Sequence, residues 1–276
     1  GDFFIPNWTW TFNASFSRSD GEYTSDQILK ETAGDAQYAS PSDGLYHGPN
    51  YNPFDVALTL TSPPPASAAP PARVQWDRKV TVTPEGNHIL GNPNAPIRLV
   101  EFVSYSCPHC GIFEMQGGDE LVRDFIRPGT ASFEVRPFLR NELDKAASLL
   151  AYCGPPAGFF ANNSALLGKQ HMWLRNPTRA QAERWSDPDH LNRMHAMAED
   201  LALYDFMKPS GLTRRQLDQC LADEALAQRL ERQTDDAMEK LGVNGTPTFL
   251  LNGAQTPENT WPGLRPRLQA LLGGFT

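Results

Sequence analysis

The segment from Ile97 to Met115 places two cysteines at the junction between a predicted strand and a predicted helix. Its first part, Ile97 to Val103, is an apolar run rich in β-branched residues, with the length of a buried strand. A short polar turn leads to Cys107 and Cys110, and the apolar residues that follow recur at helical spacing. Two cysteines separated by two residues at such a junction are typical of a thiol–disulfide redox pair.

The redox interpretation has its physical basis in the ionisation of Cys107. A thiol at the start of a helix faces unpaired backbone N–H groups and the positive end of the helix dipole, which stabilise its thiolate. Pro108 falls in the first turn, where its missing N–H costs nothing, and a protonated His109 would add positive charge beside the sulfur. We therefore expect Cys107 to form the mixed disulfide and Cys110, further along the helix, to resolve it.

Two other interpretations of the cysteine pair are weaker. A Cys-x-x-Cys sequence is also half of a zinc site, but such a site needs a second pair of ligands, and the other cysteines, Cys153 and Cys220, are isolated. Two core cysteines spaced this way by chance would not be expected between a strand and a helix. No metal site is predicted.

A turn with a proline and a short apolar strand follow far downstream, from Val243 to Leu251. On its own, Pro247 is consistent with a proline that begins a strand at the edge of a sheet. Together with the Cys-Pro-His-Cys sequence, the Thr246-Pro247 pair resembles the thioredoxin superfamily, in which a cis Thr-Pro peptide packs against the active-site disulfide. The Pro-His dipeptide and the long helical stretch between the two segments resemble the DsbA family of periplasmic thiol oxidases. This resemblance extends from Val74 to the C-terminus.

The resemblance and the order of predicted elements indicate an α/β, thioredoxin-like fold with a large helical insertion. A hairpin or an edge strand over 80–90 precedes the central strand and the helix of 107–126. A second strand over 132–138 completes a right-handed crossover with a parallel pair. The segment over about 142–242 has a helical pattern and forms the insertion. A last strand and a helix over about 261–272 follow it.

Capping signals predict the ends of several helices in the insertion. Asp187 precedes a proline and predicts the start of a helix over 191–207. Thr213 opens a capping box ahead of a short helix. A further helix is expected to begin at Asp223 and to end at Gly242 as its C-cap.

Residues 1–61 precede this domain and carry no predicted chemistry. Apolar and polar residues alternate near Trp8 to Phe12 and near Val56 to Leu60, as they do in half-buried strands. The extension is therefore either a loosely ordered segment or a small β structure that contacts a partner or the main domain. Residues 62–73, rich in proline and alanine, form a linker, and the predicted domain spans 74–276.

Glu101 lies inside the predicted central strand, six residues before Cys107. From the strand alone, a solvent-exposed carboxylate is the simpler interpretation. The resemblance implies a buried acid instead, because DsbA-like oxidases carry one at this position of the motif. A buried carboxyl has a raised pKa and would relay protons to the buried Cys110.

Cys153 and Cys220 fall near opposite ends of the insertion. They are either two buried free thiols or a structural disulfide. A disulfide would close about 67 residues, a constraint worth on the order of 4 kcal/mol before strain is deducted. An oxidising compartment favours the disulfide.

Composition excludes several classes of function. The formal net charge of -8 disfavours binding to nucleic acid and to anionic membrane surfaces. No run of about eighteen apolar residues is present, so no membrane span is predicted. The start of the chain lacks the basic and apolar regions of a signal peptide, and we expect that an exported form has had its signal removed.

These residues predict a thiol–disulfide oxidoreductase of the periplasm or another extracytoplasmic compartment, working without a cofactor. The resemblance implies that it oxidises cysteine pairs in exported proteins and that a redox partner resets its disulfide. It also implies that the backbone of Thr246, beside Pro247, binds a reduced or misoxidised substrate as an added strand.

Three alternatives to the oxidase remain open. The same site in an oligomer would serve a disulfide isomerase, with residues 1–61 as a dimer contact. It would also serve a reductase for a particular client. From a different class, a thioredoxin-like protein would hold a soft metal such as Cu(I) between the two sulfurs.

Overall fold

The computed structural model describes residues 74–274 and, in the preceding part of the chain, the backbone of 17–18 and 21–22. The chain divides into two compact units, Gly1–Arg73 and Val74–Thr276. The division falls at the end of the predicted linker. All the residues assigned to chemistry from the sequence lie in the second unit.

One short hairpin is described in the first unit, where β1 (Ser17–Arg18) pairs antiparallel with β2 (Gly21–Glu22). The strands predicted near Trp8 and Leu60, and the linker 62–73, lie outside the described residues. Their structures stay predictions, as does the role of the N-terminal extension.

The second unit is built on a six-stranded mixed sheet. Its strands, in chain order, are β3 (Val80–Val82), β4 (His88–Gly91), β5 (Ile97–Val103), β6 (Ala131–Pro137), β7 (Thr248–Leu251) and β8 (Ala254–Thr256). Across the sheet the order is β3-β4-β6-β5-β7-β8, with β5 and β6 parallel and the other neighbours antiparallel. The predicted hairpin and parallel pair are confirmed, whereas the edge strand β8 was not predicted.

Ten α-helices accompany the sheet in the described part of this unit. They are α1 (Pro108–Leu121), α2 (Glu142–Ala151), α3 (Phe159–Leu167), α4 (Gln170–Trp173), α5 (Arg179–Trp185), α6 (His190–Asp200), α7 (Leu203–Phe206), α8 (Arg214–Leu221), α9 (Glu224–Leu241) and α10 (Trp261–Gly273). A π-helical turn, Val122–Ile126, extends α1. Helices α2 to α9 lie between β6 and β7, so the predicted helical insertion into an α/β fold is confirmed. None of the described helices is both long enough and apolar enough to span a membrane.

Side-chain caps explain several helix boundaries of the insertion. Thr213 and Gln216 form the predicted capping box at the start of α8. Helix α9 begins after Asp223, whose side chain accepts a hydrogen bond from the N–H of Leu226. It ends at Gly242, where a φ of 68° gives the left-handed conformation that glycine adopts without strain. The predictions for these two helices are confirmed.

The helix predicted over 191–207 is wrong in its start and in its length. The Asp187 carboxylate accepts a hydrogen bond from the N–H of Asp189, so it closes a local turn and does not cap the helix. Asp189 takes that place as the N-cap of α6. After α6, Ala202 adopts a left-handed φ of 53°, which breaks the helical pattern before α7 begins.

The central strand β5 is buried on both of its faces. Successive side chains of a strand point to opposite sides of the sheet, and Leu99 and Val103 join the larger core with α1, α10 and the insertion. Val100 and Phe102 join a smaller core that includes Ala237 of α9. The end of β5, where the cysteine pair begins, is therefore held from both sides.

Candidate active site

The two cysteines lie where the sequence predicts, at the junction between β5 and α1. Cys107 is the N-cap of α1, with an extended backbone (φ -90°, ψ 114°), and Pro108 is the first residue of the helix. Both cysteines are free thiols. Cys107 is the more exposed of the two, although both are buried, with exposed fractions of 3% and 0%.

The environment of Cys107 stabilises its thiolate and lowers its pKa to about 4. The largest cause is a hydrogen bond from the Cys110 thiol, while burial acts in the opposite direction. The Thr246 side chain and the backbone N–H groups of Cys110 and His109, all able to donate to a thiolate, lower the pKa further. At neutral pH the Cys107 sulfur is therefore an anion.

The contribution of His109 differs from the one expected from its charge. Its side chain is exposed, and the group that acts on the pKa of Cys107 is its backbone N–H. Helix geometry supplies this donor, because the first N–H groups of a helix have no partner within the helix.

The loop before β7 faces the cysteine pair from the other half of the chain. The Thr246–Pro247 peptide bond is cis, and the carbonyl oxygen of Thr246 accepts a hydrogen bond from the Cys107 thiol at 3.1 Å. The Thr246 hydroxyl is buried and has no hydrogen-bond partner within the described part of the chain. When Cys107 ionises, it can no longer donate to the carbonyl, and the free hydroxyl is the group able to donate to the sulfur.

Glu101 is buried, with 1% of its surface exposed. It lies on the same face of β5 as Leu99 and Val103, toward α1. Its Oε1 has no hydrogen-bond partner among the described residues. Burial, and then the nearby negative charges of Glu114 and Cys107, raise its pKa.

The second sulfur differs from the first in its ionisation. The pKa of Cys110 is raised, chiefly by burial, then by its hydrogen bond to Cys107 and by the charge of Glu101. The pair thus combines an anionic sulfur at the helix start with a neutral thiol below it. A carboxyl group lies close enough to Cys110 to affect its proton.

Glu114 is a second acid near the pair that we did not predict. Burial raises its pKa, while a hydrogen bond from Ser164 opposes this shift. It follows Cys110 by four residues, a spacing that places two side chains on the same face of a helix. The sequence therefore carried a signal for it.

Two residues of the insertion bind the loop of the cysteine pair, and neither was predicted. Asp144 of α2 is fully buried. Its carboxylate accepts hydrogen bonds from the Ser104 hydroxyl at 2.9 Å and from the Ser106 N–H at 2.6 Å. Gln170 of α4 donates from Nε2 to the carbonyl oxygens of Tyr105 and Cys107. No local pattern marks these contacts, because they join residues far apart in sequence.

Cys153 and Cys220 form a disulfide, with Cα atoms 5.6 Å apart. It joins the chain just after α2 to the end of α8. Within the described residues, no group of three or more histidine, cysteine, aspartate or glutamate side chains is arranged to hold a metal ion.

A known protein family matches the part of the chain that carries this site. The family model described as Thioredoxin matches residues 83–269, which include the cysteine pair and the Thr246–Pro247 loop. The chain belongs to the thioredoxin family. Within that family its fold is DsbA-like, because the helical insertion lies between the two halves of the thioredoxin-like sheet.

The solved structures that are similar to this thioredoxin-family chain include a disulfide isomerase and a DsbA protein. A protein-disulfide isomerase from Novosphingobium aromaticivorans is 41% identical, with a TM-score of 0.64, over 67% of this chain and 96% of that protein. The α-DsbA1 of Wolbachia pipientis is 19% identical, with a TM-score of 0.56, over 70% of this chain and 94% of that protein. The second similarity shows the shared fold.

Curated relatives agree with the structural similarity. The disulfide bond formation protein D of Bacillus subtilis (strain 168) is 26% identical over 172 residues, which are 61% of this chain and 68% of that protein. A candidate protein-disulfide oxidoreductase of Rickettsia bellii (strain RML369-C) is 26% identical over 172 residues, 62% of this chain. The match spans 59% of the length of the Rickettsia protein.

Proposed function

We propose that this chain is a thiol–disulfide oxidoreductase that oxidises cysteine pairs in exported proteins. The observation that carries the proposal is the contrast between the two sulfurs. The pKa of Cys107 is lowered to about 4, whereas that of Cys110 is raised. A stabilised thiolate favours the reduced pair, so the disulfide of such a pair is a strong oxidant.

The proposed reaction transfers two electrons from the substrate to the Cys107–Cys110 disulfide. A substrate thiolate attacks the Cys107 sulfur, which forms a mixed disulfide and releases Cys110, and Cys110 takes up a proton. A second substrate thiolate attacks the substrate sulfur of this mixed disulfide and releases Cys107 as a thiolate. The substrate leaves with a disulfide, and the enzyme keeps the two electrons as a reduced pair.

Named residues have separate roles in this scheme. Glu101 would exchange the proton that Cys110 gains and loses, since its charge already acts on the pKa of that thiol. The backbone of Thr246 would bind an extended substrate segment beside Pro247. Pro108 and His109 begin the first turn of α1, and backbone N–H groups of this turn lower the pKa of Cys107.

The proposal extends to the partners and the compartment. The substrates would be reduced or misoxidised proteins of the periplasm or a comparable extracytoplasmic space, where disulfides persist. An external disulfide or quinone oxidant would reset the reduced pair. The Cys153–Cys220 disulfide supports an oxidising compartment.

A disulfide isomerase is the second candidate, because the 41% identical relative is named a protein-disulfide isomerase. An isomerase attacks wrong disulfides with its reduced Cys107, so it must be kept reduced. An oxidase must be kept oxidised. The two candidate reactions use the same two cysteines. The oxidase acts through their disulfide, and the isomerase acts through the reduced thiols.

The reduction potential of the pair, measured against glutathione, tests the proposal. An oxidase should lie well above the thioredoxin value of about -270 mV, toward the DsbA value of about -120 mV. The matched activity test compares oxidation of a reduced dithiol peptide with reshuffling of a scrambled disulfide protein. A potential near that of thioredoxin would overturn the proposal that the protein is an oxidase. Cu(I) that stays bound when the protein is purified under reducing conditions would favour the metal-binding alternative. Cys107→Ser is the control that should abolish both activities.

A further inference from the structure

Gln170 connects the helical insertion to the backbone of the redox pair. Its side chain is buried, with 5% of the residue exposed. The amide nitrogen Nε2 donates to the carbonyl oxygen of Tyr105 at 2.8 Å and to that of Cys107 at 2.9 Å. Both protons of one amide are therefore used on the loop that carries the nucleophilic sulfur.

The helix that carries the pair is shaped to admit this side chain. Gly111 follows Cys110 in α1, and a Cβ atom placed there would lie 2.7 Å from the Gln170 Oε1 and 3.2 Å from the Leu167 carbonyl oxygen. Any larger residue at this position would push the amide away from the loop. The glycine and the glutamine thus form one contact between α1 and the insertion.

The carbonyl of Cys107 is also the first acceptor of α1. It receives hydrogen bonds from the N–H of Cys110 at 3.1 Å and of Gly111 at 3.4 Å. The backbone N–H groups of His109 and Cys110, in the same turn, lower the pKa of the Cys107 thiol. A group that holds this carbonyl therefore also fixes the direction of those N–H groups.

We propose that Gln170 is a positioning residue of the redox pair, which holds the first turn of α1 so that its N–H groups can stabilise the Cys107 thiolate. It touches neither sulfur through its side-chain amide and acts through the backbone. The inference deepens the proposed function, since it assigns part of the control of that same site to the insertion. It predicts that thiolate stability depends on a residue that follows Cys107 by 63 positions.

The test replaces Gln170 with methionine, which has a similar shape and no donor. The midpoint of the Cys107 titration, followed by the ultraviolet absorbance of the thiolate, should rise by about one unit, as it would if the displaced first turn withdrew one N–H donor from the thiolate. Because the reduced form loses stability, the equilibrium constant for oxidation of the pair by glutathione disulfide should rise about tenfold. This corresponds to a potential lower by about 30 mV.

Asn162 provides a matched control in the same insertion. Its buried side-chain amide donates to the carbonyl oxygens of Ala151 at 3.2 Å and Cys153 at 3.1 Å, away from the redox pair. Asn162→Leu removes the same kind of double hydrogen bond and should lower the urea midpoint of unfolding to a similar extent. The Cys107 titration should stay at its wild-type midpoint in this variant.

A second variant keeps the test decisive if Gln170→Met does not fold. Gly111→Ala retains the glutamine but displaces its amide, and it should raise the Cys107 midpoint in the same direction. An unchanged midpoint in the folded Gln170 variant, or an equal shift in Asn162→Leu, would overturn the inference. A shifted midpoint in a protein that oxidises no dithiol peptide would sustain the role of Gln170 and refute the proposed oxidase.

Discussion

The thiol of Cys107 donates a hydrogen bond to the carbonyl oxygen of Thr246, 139 residues further along the chain and 3.1 Å away. This contact exists only while the sulfur is protonated. In the thiolate, the carbonyl would face a negative charge. The Thr246 hydroxyl, which has no partner among the residues that the structure describes, then becomes the favourable neighbour. One residue thus offers the sulfur an acceptor in one protonation state and a donor in the other.

Replacing Thr246 with valine should therefore destabilise the thiolate. Valine keeps the shape and the backbone carbonyl but removes the hydroxyl that lowers the pKa of Cys107. We expect the titration midpoint to rise from about 4 by about one unit, measured by thiolate absorbance. Thr256→Val is the control, because the hydroxyl of Thr256, the last residue of the edge strand β8, donates to the Glu258 carboxylate. Equal midpoints in the wild type and in Thr246→Val would contradict this role.

Replacing Glu101 with glutamine should act on the other sulfur. The negative charge of Glu101 raises the pKa of Cys110, so the neutral amide should lower it and speed alkylation of Cys110 at alkaline pH. The rate is measured by mass spectrometry in a Cys107→Ser background. Glu239→Gln removes the same negative charge at an exposed position of α9 and should leave the rate of Cys110 alkylation unaltered. Identical alkylation profiles would show that Glu101 does not act on Cys110.

His88 should make the stability of the fold depend on pH. Its ring is buried against Phe159, with the centroids 4.2 Å apart. Burial, and then the charge of Arg229, lower its pKa from 6.5 to about 4. Between these values the unfolded chain binds a proton that the folded chain does not, so the free energy of unfolding falls as the pH drops.

His88→Phe should remove that part of the pH dependence. The variant keeps an aromatic ring on Phe159 and has no proton to gain. Urea unfolding at about pH 7 and about pH 4.5 should show a loss of stability that is smaller in the variant, by on the order of 2 kcal/mol. Parallel losses in both proteins would mean that the folded protein binds a proton at His88 as readily as the unfolded chain.

Local sequence patterns were sufficient to predict those features whose structure is determined by residues close together in the chain. The apolar run of β5, the Cys107–Cys110 spacing and the capping box at Thr213 each depend on residues within one or two turns. Asp187 shows the limit of this approach. Its carboxylate had a competing partner two residues away, and the sequence pattern did not decide between them.

The contacts that complete the site depend on the tertiary fold. Asp144 and Gln170 reach the loop of the redox pair from α2 and α4. Their identity as buried polar residues follows from the packing of the insertion, which no periodicity encodes. The strand pattern alone favoured an exposed Glu101 and was wrong, because β5 is covered on both faces near the cysteines.

Removal of the Cys153–Cys220 disulfide should reduce stability without changing the chemistry of the redox pair. The bond closes 67 residues, and the double Cys→Ala variant is expected to lose up to about 4 kcal/mol in free energy of unfolding. The Cys107 titration midpoint should stay near its wild-type value. A large shift of that midpoint would show that the disulfide holds the insertion against the active-site loop.

A protein that begins at Val74 should keep the redox chemistry of the full chain. Every residue placed in the site lies in the unit Val74–Thr276, which is compact by itself. We expect an unchanged Cys107 titration, an unchanged potential against glutathione and an equal rate of dithiol peptide oxidation. The isomerase alternative makes a different forecast, in which truncation lowers the oligomeric state and abolishes reshuffling of scrambled disulfides while simple oxidation survives. Loss of oxidation itself would mean that residues 1–73 complete either the active site or the fold, and the boundary at Val74 would then be wrong.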